Sequence, residues 1–364
     1  MSDNRRRYRA IKSGMKQLYP TEPKGNLARH LQTLAALVSG IVGSKRTNLP
    51  AIAGQVPDGT KRESRVKKFS RWIINDCIDA ERYFLPYADA LIASLAHCPL
   101  VLVIDSSEVG QGCLCLLVSV VYRGRALPLV WMVVKGHTGH FPEAAHVELL
   151  KQVHALIPES ATVIFLGDGE FDGIHLQATL EAFGWNYVCR TAKNAQLWAD
   201  GERFAFADLG IQPGEQLEVP DALFSLQDYG PVLAIAVWDQ GYKNPLYLIT
   251  NMELVEEACA WYRKRFRIET FFSDQKSRGF HLHKSRISDP ARLSRLMMAA
   301  CLAYLWIVFL GTLAILEDWI GVIHRTDRCD LSLFQLGLAL LEHFFNELMP
   351  IPVAFQMLAL EPFV

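Results

Sequence analysis

The sequence predicts an α/β protein: a sheet-based core, preceded by a helical N-terminal region, interrupted by a β-rich segment and followed by helices. Three observations carry this. Apolar residues recur at helical spacing before residue 98, as in LARHLQTLAALVSGIV and RVKKFSRWIINDCID. From Pro99 the texture changes to short continuous apolar runs separated by turn residues. Gly and Pro turn signals around PVLAIAVW and PLYLIT then mark residues 191–253 as β-rich. The first pattern is the 3.6-residue period of a helix. The second is the signature of strands covered on both faces.

Taken in order, residues 1–98 read as helices, broken around Pro50, Pro57 and Gly59. VLVID (101–105), CLCLLVSVVY (113–122) and ALPLVWMVV (126–134) read as three strands, the last two joined by a turn at Arg123-Gly124-Arg125. A helix at 142–157, a strand at 161–168, a helix at Gly173–Phe183 and a strand at 186–190 complete the order βββαβαβ. Helices are expected from Glu253 to the end. Leu296–Leu316 is 21 residues without a charge, long enough to span a bilayer or to form a buried core helix. The soluble α/β texture around it favours the core helix, and no membrane association is expected.

The chain has 364 residues, enough for two or three domains and a large core. At 51% hydrophobic and 21% charged, it is neither disordered nor collagen-like. Its eight Cys form no CxxC pair, which argues against a disulfide scaffold or a Cys-based zinc site and suits a reducing cytoplasm. The N-terminal MSDNRRRYRAIK lacks the apolar stretch of a signal peptide, so a cytoplasmic location is expected.

The net charge of -1 hides an asymmetry. Residues 1–76 carry +11, residues 262–295 carry +7, and the rest carries -19. Two basic blocks on an acidic body are a footprint of polyanion binding. Within the first block, Arg65, Lys67 and Lys68 flank the apolar Val66 and Phe69, as in a helix that packs one face and offers cations on the other.

Two acids stand at expected strand ends, Asp105 and Asp168. The first and fourth strands can be neighbours in such a sheet, which would bring the two carboxylates together. Paired carboxylates repel and call for a cation, so a Mg²⁺ or Mn²⁺ site is expected there. The third element is WYRKRFRIETFFSDQKSRGF (261–280), read as one helix. Trp261, Ile268 and Phe272 form its apolar stripe, and Tyr262, Arg265, Glu269 and Lys276 form a second stripe beside it. A helix docked by the first stripe would present Glu269 to the sheet, bracketed by the cations Arg265 and Lys276. HTGH at 137–140 has two His and no third ligand nearby, and reads as surface or packed histidines.

Tyr262-x2-Arg265-x3-Glu269-x6-Lys276 resembles the Tyr-Arg-Glu-Lys signature of bacterial cut-and-paste insertion-sequence transposases with a DDE triad. Four fixed residues would match by chance in roughly 0.2% of chains this long, so the context also matters. IDSS at 104–107 resembles the family's first-Asp motif, GRALPLVW at 124–131 the strand after it, FLGDGEFD at 165–172 the second-Asp motif, and LITN at 248–251 the strand before the signature. The likeness spans about residues 25–345. One departure is Glu170, where the family often has Gly; it either supports the site from behind or competes with Asp168 as a ligand.

The resemblance implies an RNase H-like catalytic core at 99–190 and 254–316, with a β-rich insertion at 191–253. An α-helical DNA-binding domain at 1–98 and a C-terminal helical region at 317–364 flank it. It implies Asp105, Asp168 and Glu269 as catalytic carboxylates holding two Mg²⁺ (or Mn²⁺) ions, with Tyr262, Arg265 and Lys276 gripping DNA phosphates. It further implies cleavage at transposon-end inverted repeats through a DNA hairpin and joining to target DNA by a homodimer assembled on DNA in the bacterial nucleoid. A Trp from the insertion would stack on a flipped base; Trp198 and Trp238 are the candidates, Trp238 preferred, and a strand-core role is its competing reading. A transposase-derived DNA-binding protein without catalysis is the alternative.

Overall fold

The computed structural model describes residues 2–136, 140–325 and 329–358. His137, Thr138 and Gly139 of the HTGH stretch lie outside them. The N-terminal region is helical as expected: α1 (Asp3–Lys16), α2 (Gly25–Ser44), α3 (Leu49–Gly54), α4 (Arg62–Ile74), α5 (Ala80–Tyr83) and α6 (Leu85–Leu95). Pro50 sits in the first turn of α3, where its missing N–H costs nothing, and the Asn48 side chain caps that turn by accepting from the Ala51 amide.

The sheet begins with β1 (Leu100–Gly110), β2 (Cys113–Tyr122) and β3 (Arg125–Lys135). Arg123 and Gly124 both have positive φ, 43° and 76°, the two-residue turn whose twist matches an antiparallel hairpin. The chain continues through α7 (Glu143–His154), β4 (Val163–Gly167), α8 (Ile174–Ala182) and β5 (Asn186–Arg190). Then come β6 (Gln196–Ala199), β7 (Glu202–Ala205), β8 (Gln216–Phe224), β9 (Tyr229–Val237) and β10 (Leu246–Thr250). Among the described residues these ten strands form one sheet in the order β3-β2-β1-β4-β5-β10-β9-β8-β6-β7. β1, β4 and β5 run parallel to one another, and every other neighbouring pair is antiparallel. The β-rich segment thus extends the same sheet, joined edge to edge where β10 pairs with β5.

After the sheet come α9 (Val255–Tyr262), α10 (Ile268–Gln275), α11 (Pro290–Leu316), α12 (Ile320–Ile323) and α13 (Leu333–Asn346). The uncharged segment lies in α11, whose most apolar window has a mean hydropathy of 2.3 and is 89% buried inside the chain. It packs on β3, α2, α4 and α13, so its apolar surface faces protein all round. At the α13 crossing a Cβ on Gly337 would collide with the Ile307 carbonyl, so only Gly allows the two backbones to approach that closely.

Three expectations need correction. Asp105 does not close its strand: β1 runs on to Gly110 because antiparallel pairing with β2 continues past it, although the parallel pairing with β4 stops at Val103. Residues 261–280 are not one helix. α9 ends at Tyr262, a 3₁₀ turn covers Arg265–Arg267, and α10 ends before Lys276. No Gly or Pro lies between α9 and α10, so that break is imposed by packing: it buries Ile268 and Phe271 while turning Arg265 toward the sheet. Finally, residues 347–358 are not helical. They are pinned along the core by hydrogen bonds from Trp306 Nε1 to the Pro352 carbonyl (3.0 Å) and from the Tyr122 hydroxyl to the Leu358 carbonyl (2.8 Å).

Candidate active site

The site grows from the parallel pairing of β1 and β4. Asp105 stands two residues beyond the last β1–β4 pair, Val103–Leu166, and Asp168 directly follows β4. Gly167 makes the exit of β4 possible: Phe171 folds back so closely that a Cβ there would lie 2.7 Å from the Phe171 Cβ. Both carboxylates are then fixed by backbone amides. Asp105 Oδ1 accepts from the Ser106 N–H at 2.7 Å, and Asp168 Oδ1 accepts from the Glu170 N–H at 3.0 Å.

Arg265 draws the third acid in. Its Nη1 lies 3.3 Å from Asp168 Oδ2 and 3.9 Å from Asp105 Oδ2, and its Nη2 lies 3.4 Å from Glu269 Oε1. Asp105, Asp168 and Glu269, remote in sequence, therefore share one positive charge. The Arg265 side chain is 17% exposed, whereas Glu269 is 65% exposed and is the outermost of the three acids. Burial, reinforced by the charge of Asp168, pushes the Asp105 carboxyl up to about 6, against the pull of the Ser106 amide and Arg265. Tyr262 is half-buried beside the cluster, and burial raises its phenol above the usual range. Lys276 donates to Ser107 Oγ at 2.7 Å; burial lowers its ammonium, opposed by Glu108, Cys115 and Asp105.

Strand alternation separates Glu170 from this cluster. Asp105 and Ser107 point to the face carrying Arg265 and Lys276, and Ser106, between them, points to the other. Ser106 meets Glu170 there, at 3.4 Å. Glu170 Oε1 accepts from the Phe141 N–H at 2.8 Å and lies 3.6 Å from His146 Nε2, and Oε2 lies 3.3 Å from His140 Nδ1. Burial alone would raise the Glu170 carboxyl, but these partners outweigh it and hold it below its ordinary value. Glu170 thus ties the segment after β4 to α7 from behind. Nothing in the sequence marks His146 as its partner. The remaining acid of the motif, Asp172, accepts from Thr191 Oγ1 at 2.6 Å.

Three carboxylates around one cation form an all-oxygen donor set, which suits a hard divalent ion such as Mg²⁺ or Mn²⁺. As they stand they surround the guanidinium rather than a point: among the described residues no three His, Cys, Asp or Glu side chains are gathered for a metal ion. Holding one would require Arg265 to swing out and Glu269, on its exposed stem, to swing in.

The other candidate residues lie apart from this cluster. Arg65 is turned inward, with Nη1 bound to the Asp58 carbonyl (2.9 Å) and carboxylate (3.2 Å), so it is not the free cation that its spacing suggested. Lys67 and Lys68 are exposed on α4. Much of the N-terminal charge is likewise used inside: Arg6 donates to the Phe344, Phe345 and Met349 carbonyls at the end of α13, and Arg7 is buried against Ser39. Burial lowers the Arg7 guanidinium to about 10. Trp238 follows β9, half-buried, with Nε1 donating to the Tyr242 carbonyl at 2.9 Å. Trp198 on β6 is 41% exposed under the Arg203 guanidinium, 5.6 Å from its ring centre.

Comparison with known proteins adds a family. Residues 96–306 match the model of the transposase DDE domain. No curated protein matches. Among solved structures, the piggyBac transposase synaptic complex with hairpin DNA superposes with a TM-score of 0.46 at 10% identity, covering 94% of this chain and 78% of that one. Human ENDOV superposes with a TM-score of 0.26 at 15% identity, covering 59% of this chain and 96% of that one. Both superpositions are loose, and the assignment rests on the sequence match, which takes in β1, β4, all three acids and most of α11. The chain belongs to the family of DDE-domain transposases.

Proposed function

We propose that this protein is a cut-and-paste transposase in which Asp105, Asp168 and Glu269 are the catalytic carboxylates. The observation that carries the reading is their convergence on Arg265 from two neighbouring parallel strands and a separate helix. The strand order β3-β2-β1-β4-β5 is taken as an RNase H-like core, with residues 191–253 as its β-rich insertion and residues 1–98 as a DNA-binding domain.

Two bound divalent ions would supply a lowered pKa for the attacking water or 3′-hydroxyl and charge stabilisation for the leaving 3′ oxygen. The chain's own residues set the geometry. Asp105, within β1, and Asp168, directly after β4, fix two oxygen donors on rigid parallel strands. Glu269 closes the set from α10, so the site can complete itself when DNA arrives. Arg265 exchanges its carboxylates for a scissile-strand phosphate, the bidentate partner its fork matches best. Lys276, held by Ser107, offers a point charge to a neighbouring phosphate. Tyr262, half-buried near Arg265, offers its hydroxyl to a phosphate beside it.

DNA cleavage at inverted repeats, a hairpin on the excised end and action as a homodimer on DNA belong to the same reading. Trp238 is the stacking residue of the hairpin step: Trp238→Ala slows hairpin formation more than first nicking, and equal loss of both steps, or of neither, counts against the role. The competing reading is a DNA-binding protein without catalysis. Incubating the wild-type chain with a supercoiled plasmid carrying its element ends, in Mg²⁺ or EDTA, separates the two. Metal-dependent nicking at the ends supports the transposase, and binding without nicking supports the alternative.

A further inference from the structure

A groove of about 1510 Å³ lies between the N-terminal helices and the sheet. One wall is the loop 281–289 with the first turn of α11, and the other comes from the α2–α3 connection and α4. Four exposed cations border it from three segments: Arg46 after α2, Lys284 and Arg286 on the loop, and Arg292 in α11. Among the described residues none of these four side chains has an ion-pair or hydrogen-bond partner. Among the described residues Glu108 and Asp289 are the acids on the lining, and Asp289 is engaged as the cap of α11, accepting from the Arg292 N–H at 2.9 Å. Arg292 moreover sits at the positive end of a 27-residue helix, where a cation is unfavourable unless an anion is near.

The loop is held for this task rather than loosely draped. His281 and Arg286 both adopt left-handed backbone, at φ 55° and 63°, which non-glycine residues keep only under constraint. The constraint is visible: Thr47 Oγ1 donates to the His281 carbonyl at 3.1 Å, and the Gln111 N–H donates to the Ile287 carbonyl at 3.1 Å. The groove reaches the site through Lys276, which lines it and bonds Ser107, two residues along β1 from Asp105.

The lining has no Phe, Tyr or Trp on which a base could stack. Its cations suit phosphates, which position a duplex without reading its sequence. Resting on the transposase reading above, we propose that this groove seats a second duplex of no fixed sequence, the DNA into which the cut end is joined.

The test compares wild type with two charge-reversal pairs, Arg286→Glu with Arg292→Glu, and Arg46→Glu with Lys284→Glu. Each pair joins one loop residue to one residue outside the loop, in α11 or after α2, so a folding failure in one pair, seen by thermal melting, leaves the other as the test. Affinity for a random-sequence duplex is measured in EDTA against salt, and end nicking and joining to a target plasmid are measured in Mg²⁺. The expected result is at least a tenfold loss of random-duplex affinity, a salt slope shallower by about 0.9 per lost phosphate contact, joining reduced to match, and end nicking within twofold of wild type. Unchanged random-duplex affinity, or nicking and joining falling together, overturns the proposal. A wild-type chain that binds random duplex through these residues and never nicks ends the transposase reading, and with it the target role.

Discussion

Arg265 and Asp168 meet at 3.3 Å across 97 residues of chain, and that contact holds the end of a core strand to the turn between two helices. The same guanidinium also faces Asp105 and Glu269. Its charge offsets the mutual repulsion of three acids that are otherwise brought together by the fold.

Arg265→Ala therefore destabilises the protein in EDTA, by about 1–3 kcal/mol, because partly buried carboxylates lose their shared counter-charge. Added Mn²⁺ raises the melting temperature of the variant more than that of wild type. Identical melting of variant and wild type in EDTA would contradict this.

Asp105 gives a pH dependence of defined sign. Its carboxyl is raised to about 6 in the folded chain, against 3.8 for the free group. Between these values the folded state holds a proton that the unfolded chain has lost, so stability falls as pH rises from about 4 to 6. Asp105→Asn removes a penalty of up to about 3 kcal/mol, since each pKa unit is about 1.4 kcal/mol. Melting in EDTA is expected to show the variant more stable than wild type at pH 7 and equal to it near pH 4.

Arg295 joins α11 to the basic helix α4. Its guanidinium donates to the Ile78 carbonyl (3.0 Å) and the Ile73 carbonyl (3.1 Å), and pairs with Asp76. Arg295→Ala leaves those carbonyls unmet and costs about 2–4 kcal/mol. Hydrogen exchange in residues 62–78 is expected to accelerate before exchange in α11 does.

Glu170 separates support from catalysis. Glu170→Gln loses the charged contacts to His140 and His146 but leaves Asp168 on its strand end. A lower melting temperature is expected, with end nicking within about tenfold of wild type. Loss of nicking as deep as that of Asp168→Asn would place Glu170 among the ligands.

Much of this was legible in the sequence. The runs at 113–122 and 186–190 are strands over those same residues, because continuous apolar residues need cover on both faces. The adjacency of Asp105 and Asp168 followed from the βββαβ order. Other features are tertiary. Nothing in residues 261–268 marks the break between α9 and α10, since packing of Ile268 and Phe271 enforces it. Charge counting could not tell Arg6, Arg7 and Arg65, consumed by carbonyls and Asp58, from Lys67 and Lys68, which face solvent. Nor does composition reveal that β6–β10 continue the main sheet, because strand pairing across β5 and β10 is a long-range choice.

The most direct test sets Glu269→Ala beside Glu170→Ala on a supercoiled plasmid carrying the element ends, in Mg²⁺. The account predicts that Glu269→Ala loses end nicking by about 10²–10³-fold or more, while it still binds the ends and Glu170→Ala still cuts. Full nicking by Glu269→Ala would contradict the assignment of the catalytic carboxylates.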